Sequence, residues 1–395
     1  MKVLVLAWEF PPRLIGGIAR HVAELYPEIV KLNYEIHLIT VESGNAPKYE
    51  IWEGIHVHRV LVARGNDFFH WVANMNDSMG HYGGKLIEKE SNFDIIHAHD
   101  WLVGDAAIAL KHTFKIPLIA TIHATEHGRN NGIHRDGQRY IDEKEKALVY
   151  NAWRVIVCSQ YMRHEVERAL NSPWNKIDVI YNGIRPEKKI HSTDFDRVSF
   201  RRRFARDDER IIYYVGRMTH EKGVSVLLNA APKVLEKLGG KAKFVIIGGG
   251  NTDRLKHQAS SLGIAERCYF TGFMSDEDLD KFQTIADCAV FPSLYEPFGI
   301  VALESFAARV PVVVSHTGGF PEVVQHHKTG IVTETNNANS LACGILEVLK
   351  NRHLARCLVK NAYKSLKTRF DWKTLAKQTV MVYSRVIKER SQADW

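Results

Sequence analysis

The chain has 395 residues, of which 45% are apolar, 25% charged and 10% aromatic, a balance that excludes a disordered tail or a fibre. At roughly 100 to 200 residues per domain, this length predicts two domains, each able to bury its own core. The formal charge is +8, and its placement is uneven: residues 1–190 carry 23 basic and 23 acidic side chains, residues 191–395 carry 30 and 22.

The opening MKVLVLAWEFPP has an apolar run that stops at Glu9 and two prolines, too short for the core of a secretion signal. No window reaches the roughly 18 apolar residues of a membrane span. A cytoplasmic protein, soluble or at most peripheral to a membrane, is expected. The five cysteines (Cys158, Cys268, Cys288, Cys343, Cys357) form no C-x-x-C pair and read as reduced core thiols.

Short apolar runs recur at 3–8, 36–41, 94–99, 118–123 and 155–159. Runs without polar alternation predict strands covered on both faces. Between the first two, Ile18, Val22, Leu25, Ile29 and Leu32 make one helical stripe, with a kink expected at Pro27. After Asn182-Gly183 comes the charged stretch RPEKKIHSTDFDRVSFRRRFARDDER, which predicts a linker at 185–195. The alternation then restarts at 211–215, 244–247, 268–273, 288–293 and 310–315, and the tail from Asp371 to Arg390 has a helical stripe of Trp372, Leu375, Val382 and Val386. Strand and helix alternating twice over predict two doubly wound α/β domains. The expected bounds are 1–188 and 189–372, with a terminal helix at 373–395 packing back on the first domain. Ligands collect beyond the carboxyl ends of parallel strands, so the residues after each run are where function is sought.

Gly16-Gly17 precedes the helix from Ile18 and suits either a phosphate against exposed helix N–H groups or a plain tight turn. Gly248-Gly249-Gly250 fits neither dinucleotide nor phosphate-loop spacing. In VGRMTHEKG, Arg217 follows a strand and Lys222 is placed in the first turn of the next helix, where a cation opposes the dipole unless an anion binds. The pair either converges on one diphosphate or is solvated. In PSLYEPFGIVALESF, Pro297 is placed at the first helical position, so that Phe298, Gly299 and Ile300 present N–H groups beside Glu296. Glu304 lies eight residues on, up to ~12 Å along a helix. The two acids grip hydroxyls of a ligand, or they are a dipole-compatible acid and a surface residue. In the first half, HAHDW and TIHATEHGRNNGIHR put His99, Asp100, His123, Glu126 and Arg129 after strands. His123, His127 and His134 match no usual zinc spacing on a helix, and Gly128 and Gly132 predict a loop there. Hydrogen bonding to a hydroxyl-rich ligand is the expected use.

Together these segments resemble the retaining, nucleotide-sugar-dependent glycosyltransferases of the GT-B fold (glycosyltransferase family four), and WEFPPRLIGG, HAHDW and TIHATEHG are similar to glycogen and starch synthase-like members. The resemblance implies two Rossmann-like domains facing each other across a cleft, acceptor side first and donor side second. It implies that Arg217 and Lys222 hold the donor diphosphate, with Gly16 and Gly17 as backbone donors. Glu296, with Phe298 to Ile300, would bind the donor sugar, Glu304 the ribose, and His123 would sit near the reacting carbon. Glu9, Asp100, Glu126 and Arg129 would face the acceptor. It implies transfer of a hexose, glucose first, from ADP- or UDP-glucose to a carbohydrate acceptor, an α-glucan first. A lipid, small sugar or sugar phosphate acceptor stays open, as do a nucleotide-sugar epimerase and a non-catalytic sugar-binding protein. No cofactor and no metal are expected, in keeping with the lack of an obvious Asp-x-Asp metal site, since Asp276-Glu277-Asp278 begins a helix where acids suit the dipole. Nucleic acid is not an expected partner, because no basic motif interleaved with aromatics occurs. The twelve basic residues against two acids between Lys350 and Arg390 read as a solvated face or a peripheral anionic contact.

Overall fold

The computed structural model describes residues 1–188 and 195–395, the side chain of Lys188 excepted. The chain divides into two compact units, Met1–Gly183 with Trp372–Trp395, and Ile184–Asp371. The expected bound at 188/189 abuts 189–194, which lie outside the described residues.

The first unit is built on β1 (Lys2–Leu6), β2 (Glu35–Val41), β3 (Tyr49–Trp52), β4 (Ile55–Val60), β5 (Ile95–His99), β6 (Leu118–Ile122), β7 (Arg154–Val157) and β8 (Ile177–Val179). Their order across the sheet is β3-β4-β2-β1-β5-β6-β7-β8. All neighbours are parallel except β3 and β4. That hairpin, which the apolar runs do not announce, turns on Glu53 and Gly54, both at positive φ (46° and 87°), as a two-residue hairpin loop requires. The order reverses direction between β1 and β5, so the residues following those two strands flank a switch point of the kind where ligands bind.

The helix Gly17–Val30 buries Ile18, Val22, Leu25 and Ile29 against this sheet, and it continues through Pro27 to its end. Only one intrahelical donor is lost to the proline. The terminal helix Trp372–Arg390 packs on it, burying Trp372, Leu375, Val382, Tyr383 and Val386. Trp372 Nε1 donates to Glu24 Oε2 at 2.6 Å. Tyr383 Oη and His97 Nδ1 lie 2.7 Å apart.

The second unit holds β9 (Arg210–Val215), β10 (Ala242–Ile247), β11 (Cys268–Gly272), β12 (Cys288–Phe291), β13 (Val312–Ser315) and β14 (Ile331–Thr333), parallel throughout in the order β11-β10-β9-β12-β13-β14. Here the reversal falls between β9 and β12. Of the cysteines expected in cores, Cys158 and Cys288 are buried, whereas Cys343 and Cys357 are exposed on helices.

Because the terminal helix completes the core of the first unit, truncating Tyr383, which is fully buried, destabilises that unit. Tyr383→Ala is expected to cost about 3–5 kcal/mol, read from chemical denaturation followed by tryptophan fluorescence.

Candidate active site

In the second unit the turn after β9 runs from Gly216 through a short 3-10 turn, His220–Lys222, to Gly223, which caps the helix Val224–Lys237 in a left-handed conformation, φ 67°. A Cβ at Gly223 would lie 1.9 Å from the Pro292 carbonyl oxygen, so glycine lets this turn lie against the loop after β12. Two further bonds stitch the loops: Leu294 and Tyr295 N–H groups donate to the Glu221 carbonyl at 2.8 and 3.2 Å. Lys222 therefore sits ahead of the cap and not in the first helical turn as expected, because the left-handed Gly223 separates it from the helix.

Lys222 Nζ lies 2.8 Å from Glu296 Oε2, with the two side chains 21% and 10% exposed. Ser293 Oγ donates to the same oxygen at 3.3 Å. Arg217 is 55% exposed, its guanidinium 3.5 Å from Glu221 Oε1. Met218 N–H donates to the Gly249 carbonyl at 3.0 Å, so the glycine run after β10 supports the Arg217 turn.

Pro297 is not the first helical residue. The helix begins at Ile300 behind Gly299, φ 102°, and ends at Ala307, because a left-handed cap ends the turn that Pro297 begins. Phe298 is buried and meets Phe370 edge to face at 6.0 Å. Glu304 lies on this helix and is buried, not a surface residue. The regular helical spacing expected from Glu296 to Glu304 holds only from Ile300, about 6 Å of rise. Behind Glu296, Gly319 N–H donates to its carbonyl at 2.8 Å.

In the first unit the loop after β1 departs from expectation. Glu9 is fully buried. Its Oε2 accepts from the Ile15 and Gly16 N–H groups at 2.8 and 2.9 Å, and its Oε1 from Ala19 N–H at 3.3 Å. Glu9 thus caps the helix Gly17–Val30 from within the chain, and the Gly16 N–H is engaged internally. Its carboxyl is raised above the ordinary value by burial, opposed by those N–H bonds and by Arg13. Gly16 and Gly17 themselves are exposed.

Asp100, after β5, is also buried, and its Oδ1 accepts the His123 N–H at 2.7 Å, so it joins the ends of β5 and β6 instead of facing out. Thr125 caps a one-turn helix, Glu126–Asn130, where a loop was expected. The Glu126 N–H donates to the buried Glu145 carboxyl at 3.0 Å, and Asn130 Nδ2 donates to Glu126 Oε1 at 2.9 Å. His123 does not group with His127 and His134; it meets His99 and His21. His99 Nδ1 and His123 Nε2 are 3.0 Å apart, and the ring centroids of His21 and His123 are 4.8 Å apart.

A family model described as Glycosyltransferase Family 4 matches residues 15–188, and one described as Glycosyl transferases group 1 matches residues 196–365. An uncharacterized glycosyltransferase of Methanocaldococcus jannaschii is 38% identical, covering 97% of this chain and 98% of the relative. A glycogen synthase of Mycobacterium tuberculosis is 33% identical, covering 97% of this chain and 94% of the relative. The chain belongs to glycosyltransferase family four. Its fold is that of the GT-B enzymes: HepE of Anabaena, solved in complex with UDP and glucose, superposes with a TM-score of 0.78 at 20% identity, covering 98% of this chain and all of the other.

In this glycosyltransferase the electrostatics of the first unit are set by burial. Desolvation pulls His21, His97 and His123 down to about 3 and His99 well below its usual value. All four rings are neutral at pH 7. Asp100 is pushed up to about 6 by burial, against the pull of Arg129 and the His123 N–H. Burial pushes Glu145 further, to about 9. His21, Asn182 and Glu145 escaped the motif search. The signal for His21 was present, a histidine in the apolar stripe between Ile18 and Val22. Among the described residues no helix is long and apolar enough to cross a membrane.

The Glu145 shift has a definite sign. Below its unfolded pKa of 4.5 both states hold the proton; between there and about 9 only the folded state does. Stability therefore falls as pH rises through this window, by about 1.4 kcal/mol per pH unit. Glu145→Gln is expected to flatten urea midpoints between pH 5 and pH 8 relative to the wild type.

Gly318 tests the other unit: at φ 54° its Cβ would lie 1.9 Å from the Glu296 carbonyl oxygen. Gly318→Ala must displace the Glu296 loop, and a shift of about 1 Å costs on the order of 10²-fold in rate. The expected result is that loss in glycosyl transfer, with far-UV dichroism unchanged.

Proposed function

We propose that the enzyme is a retaining, metal-independent hexosyltransferase that moves glucose from ADP- or UDP-glucose to a hydroxyl of an α-glucan. The observation that carries this reading is the Lys222–Glu296 pair, 2.8 Å apart at the switch point between β9 and β12. It puts one cation and one carboxylate, both partly buried, where a parallel sheet binds ligands. A donor has the matching halves, an anionic diphosphate and a hydroxyl-bearing sugar.

As the bond from the sugar C1 to the diphosphate breaks, negative charge grows on the leaving oxygen and positive charge on the ring. Lys222 and Arg217 stabilise the first. Lys222 exchanges its Glu296 contact for phosphate, which frees the Glu296 carboxylate for sugar hydroxyls. The main chain from Phe298 to Ile300 lies beside it, and Glu304 binds the ribose. The acceptor oxygen attacks on the face the diphosphate leaves, and its proton passes to the departing phosphate oxygen. No second carboxylate at glycosidase spacing is required. His123 contacts the donor sugar as a neutral ring. Glu126 and Arg129 belong to the acceptor side, with Asp100 and Glu9 holding the loops that carry it. The exposed Gly16 and Gly17 leave room for a phosphate oxygen to approach, with the Gly16 N–H held by Glu9. The glycogen synthase relative supports glucose and a glucan, and HepE with UDP and glucose supports a nucleotide-sugar donor.

The decisive assay measures nucleotide release from a panel of nucleotide sugars, with and without maltooligosaccharides. Glucan-dependent release from ADP- or UDP-glucose is expected, unaffected by chelator, and Glu296→Gln should lower it about 10²- to 10³-fold, the range for loss of one transition-state contact. Release from no glucose donor sinks the reading. An altered sugar released without acceptor replaces transfer by epimerisation, and glucose on a lipid, small sugar or sugar phosphate replaces the glucan.

A further inference from the structure

We propose that His21, His99 and His123 form a binding site for one divalent first-row transition ion with high affinity for imidazole, Zn²⁺ being the type. One ligand atom from each of the three lies within 4.8 Å of those of the others. They come from three elements of the first unit: the helix Gly17–Val30, the end of β5 and the residue after β6.

The lone pairs are set by the hydrogen bonds around them. His21 Nδ1 lies 2.8 Å from Asn182 Oδ1, which can only accept, so the ring proton is on Nδ1 and Nε2 is a bare lone pair. That Nε2 is buried with no hydrogen-bond partner. An orphaned buried acceptor carries an unreturned desolvation penalty, and a metal ion removes it. His99 Nδ1 and His123 Nε2 already face each other at 3.0 Å over a single shared proton. Tyr26 Oη holds the far nitrogen of His99 at 2.7 Å and also reaches His97. This is the outer support that ligating histidines characteristically have.

The His21 ring is tilted 58° and 78° from those of His99 and His123, which are only 23° apart, so the three do not approach from one direction. Nitrogens at 2.0–2.1 Å from a tetrahedral ion are roughly 3.3 Å apart, closer than the widest separation here. A cavity of about 10 Å³ lined by His21, Cys158, Asn182 and Trp372 lies against the His21 ring, space for a small displacement that keeps the Asn182 bond. All three rings are neutral at pH 7, so binding requires no net deprotonation, only that the proton shared by His99 Nδ1 and His123 Nε2 move to the outer nitrogen of one ring. Arg129 acts on His123 with a charge of the wrong sign for a cation. Arg129 opposes all dications alike, and it is the three-imidazole donor set that selects for ions with a strong nitrogen preference and against Mg²⁺ or Ca²⁺, which seek oxygen. His123 is partly exposed, which gives the ion access and leaves its fourth position open. Since the proposed function places His123 against the donor sugar, an ion there restrains that ring and slows transfer; this part alone rests on that reading.

The test titrates Co²⁺ into the full chain after chelator treatment. A visible absorption of tetrahedral strength should saturate at one equivalent and be displaced by Zn²⁺ but not Mg²⁺. His21→Gln should weaken it at least tenfold. His56→Ala, in the separate group Glu35, His37 and His56, should leave it intact. X-ray absorption of the zinc-loaded wild type should count three imidazole nitrogens near about 2.0 Å, which decides the matter even if His21→Gln does not fold. No absorption, absorption undiminished in His21→Gln, or two imidazoles with oxygen overturns the site. Zinc should also inhibit transfer with the midpoint of binding. Binding without inhibition overturns the link to His123, whereas absence of any transfer activity bears on the proposed function and not on the metal.

Discussion

The second unit depends on holding a lysine and a glutamate 2.8 Å apart on two loops that belong to different strands. A partly buried ion pair gains little net energy by itself, because removing both charges from water costs about as much as their attraction returns. Geometry must come from elsewhere, and it comes from main chain. The turn after β9 touches the loop after β12 at Gly223, and the loop after β13 touches Glu296 at Gly318; at both a Cβ would fall 1.9 Å from a carbonyl oxygen. Three successive strand ends are thereby locked through contacts that only glycine permits. The pair is thus held in position by main-chain contacts rather than by its own attraction.

The first unit solves a different problem, that of keeping polar groups in a dry interior. His97, His99 and Thr121 point out of strands covered on both faces, and Tyr26 and Tyr383 reach them from two helices. Desolvation keeps the histidines uncharged, so each ring has one donor and one acceptor, and the network is satisfied by tautomer choice. The terminal helix enters because it supplies Tyr383 and Trp372. Its return to the first unit is thus chemical as well as a matter of apolar area.

The strands were legible because buried parallel strands leave continuous apolar runs, as in β1, β9 and β12, whereas the strand order, and with it the switch points, was not. Neither was the hairpin of β3 and β4, since its strands lie partly exposed and mix polar residues into the pattern. Site residues were legible as residue types following strands, as with Arg217, Lys222, Glu296 and His123. Their exact settings were not. Pro297 satisfies the rule for a first helical residue, yet Gly299 at φ 102° moves the helix start to Ile300. Lys222 is shifted out of its helix by Gly223 in the same way. Glu9 was assigned to the acceptor side by the resemblance alone; its partners are main-chain N–H groups, which no side-chain pattern reveals.

The Glu9 contacts bear on how each helix start meets negative charge. A helix start at a switch point attracts negative charge, and each unit has one. In the first unit Glu9 supplies that charge from within the chain and binds the Gly16 N–H. In the second, the residue ahead of the cap is Lys222, a cation that adds to the positive end of the dipole instead of cancelling it. Glu296 balances the lysine from the side at a cost in desolvation. One helix end is therefore neutralised by its own sequence, while the other concentrates positive charge and satisfies it only with a carboxylate that can let go. An external anion therefore gains more at the second helix start than at the first.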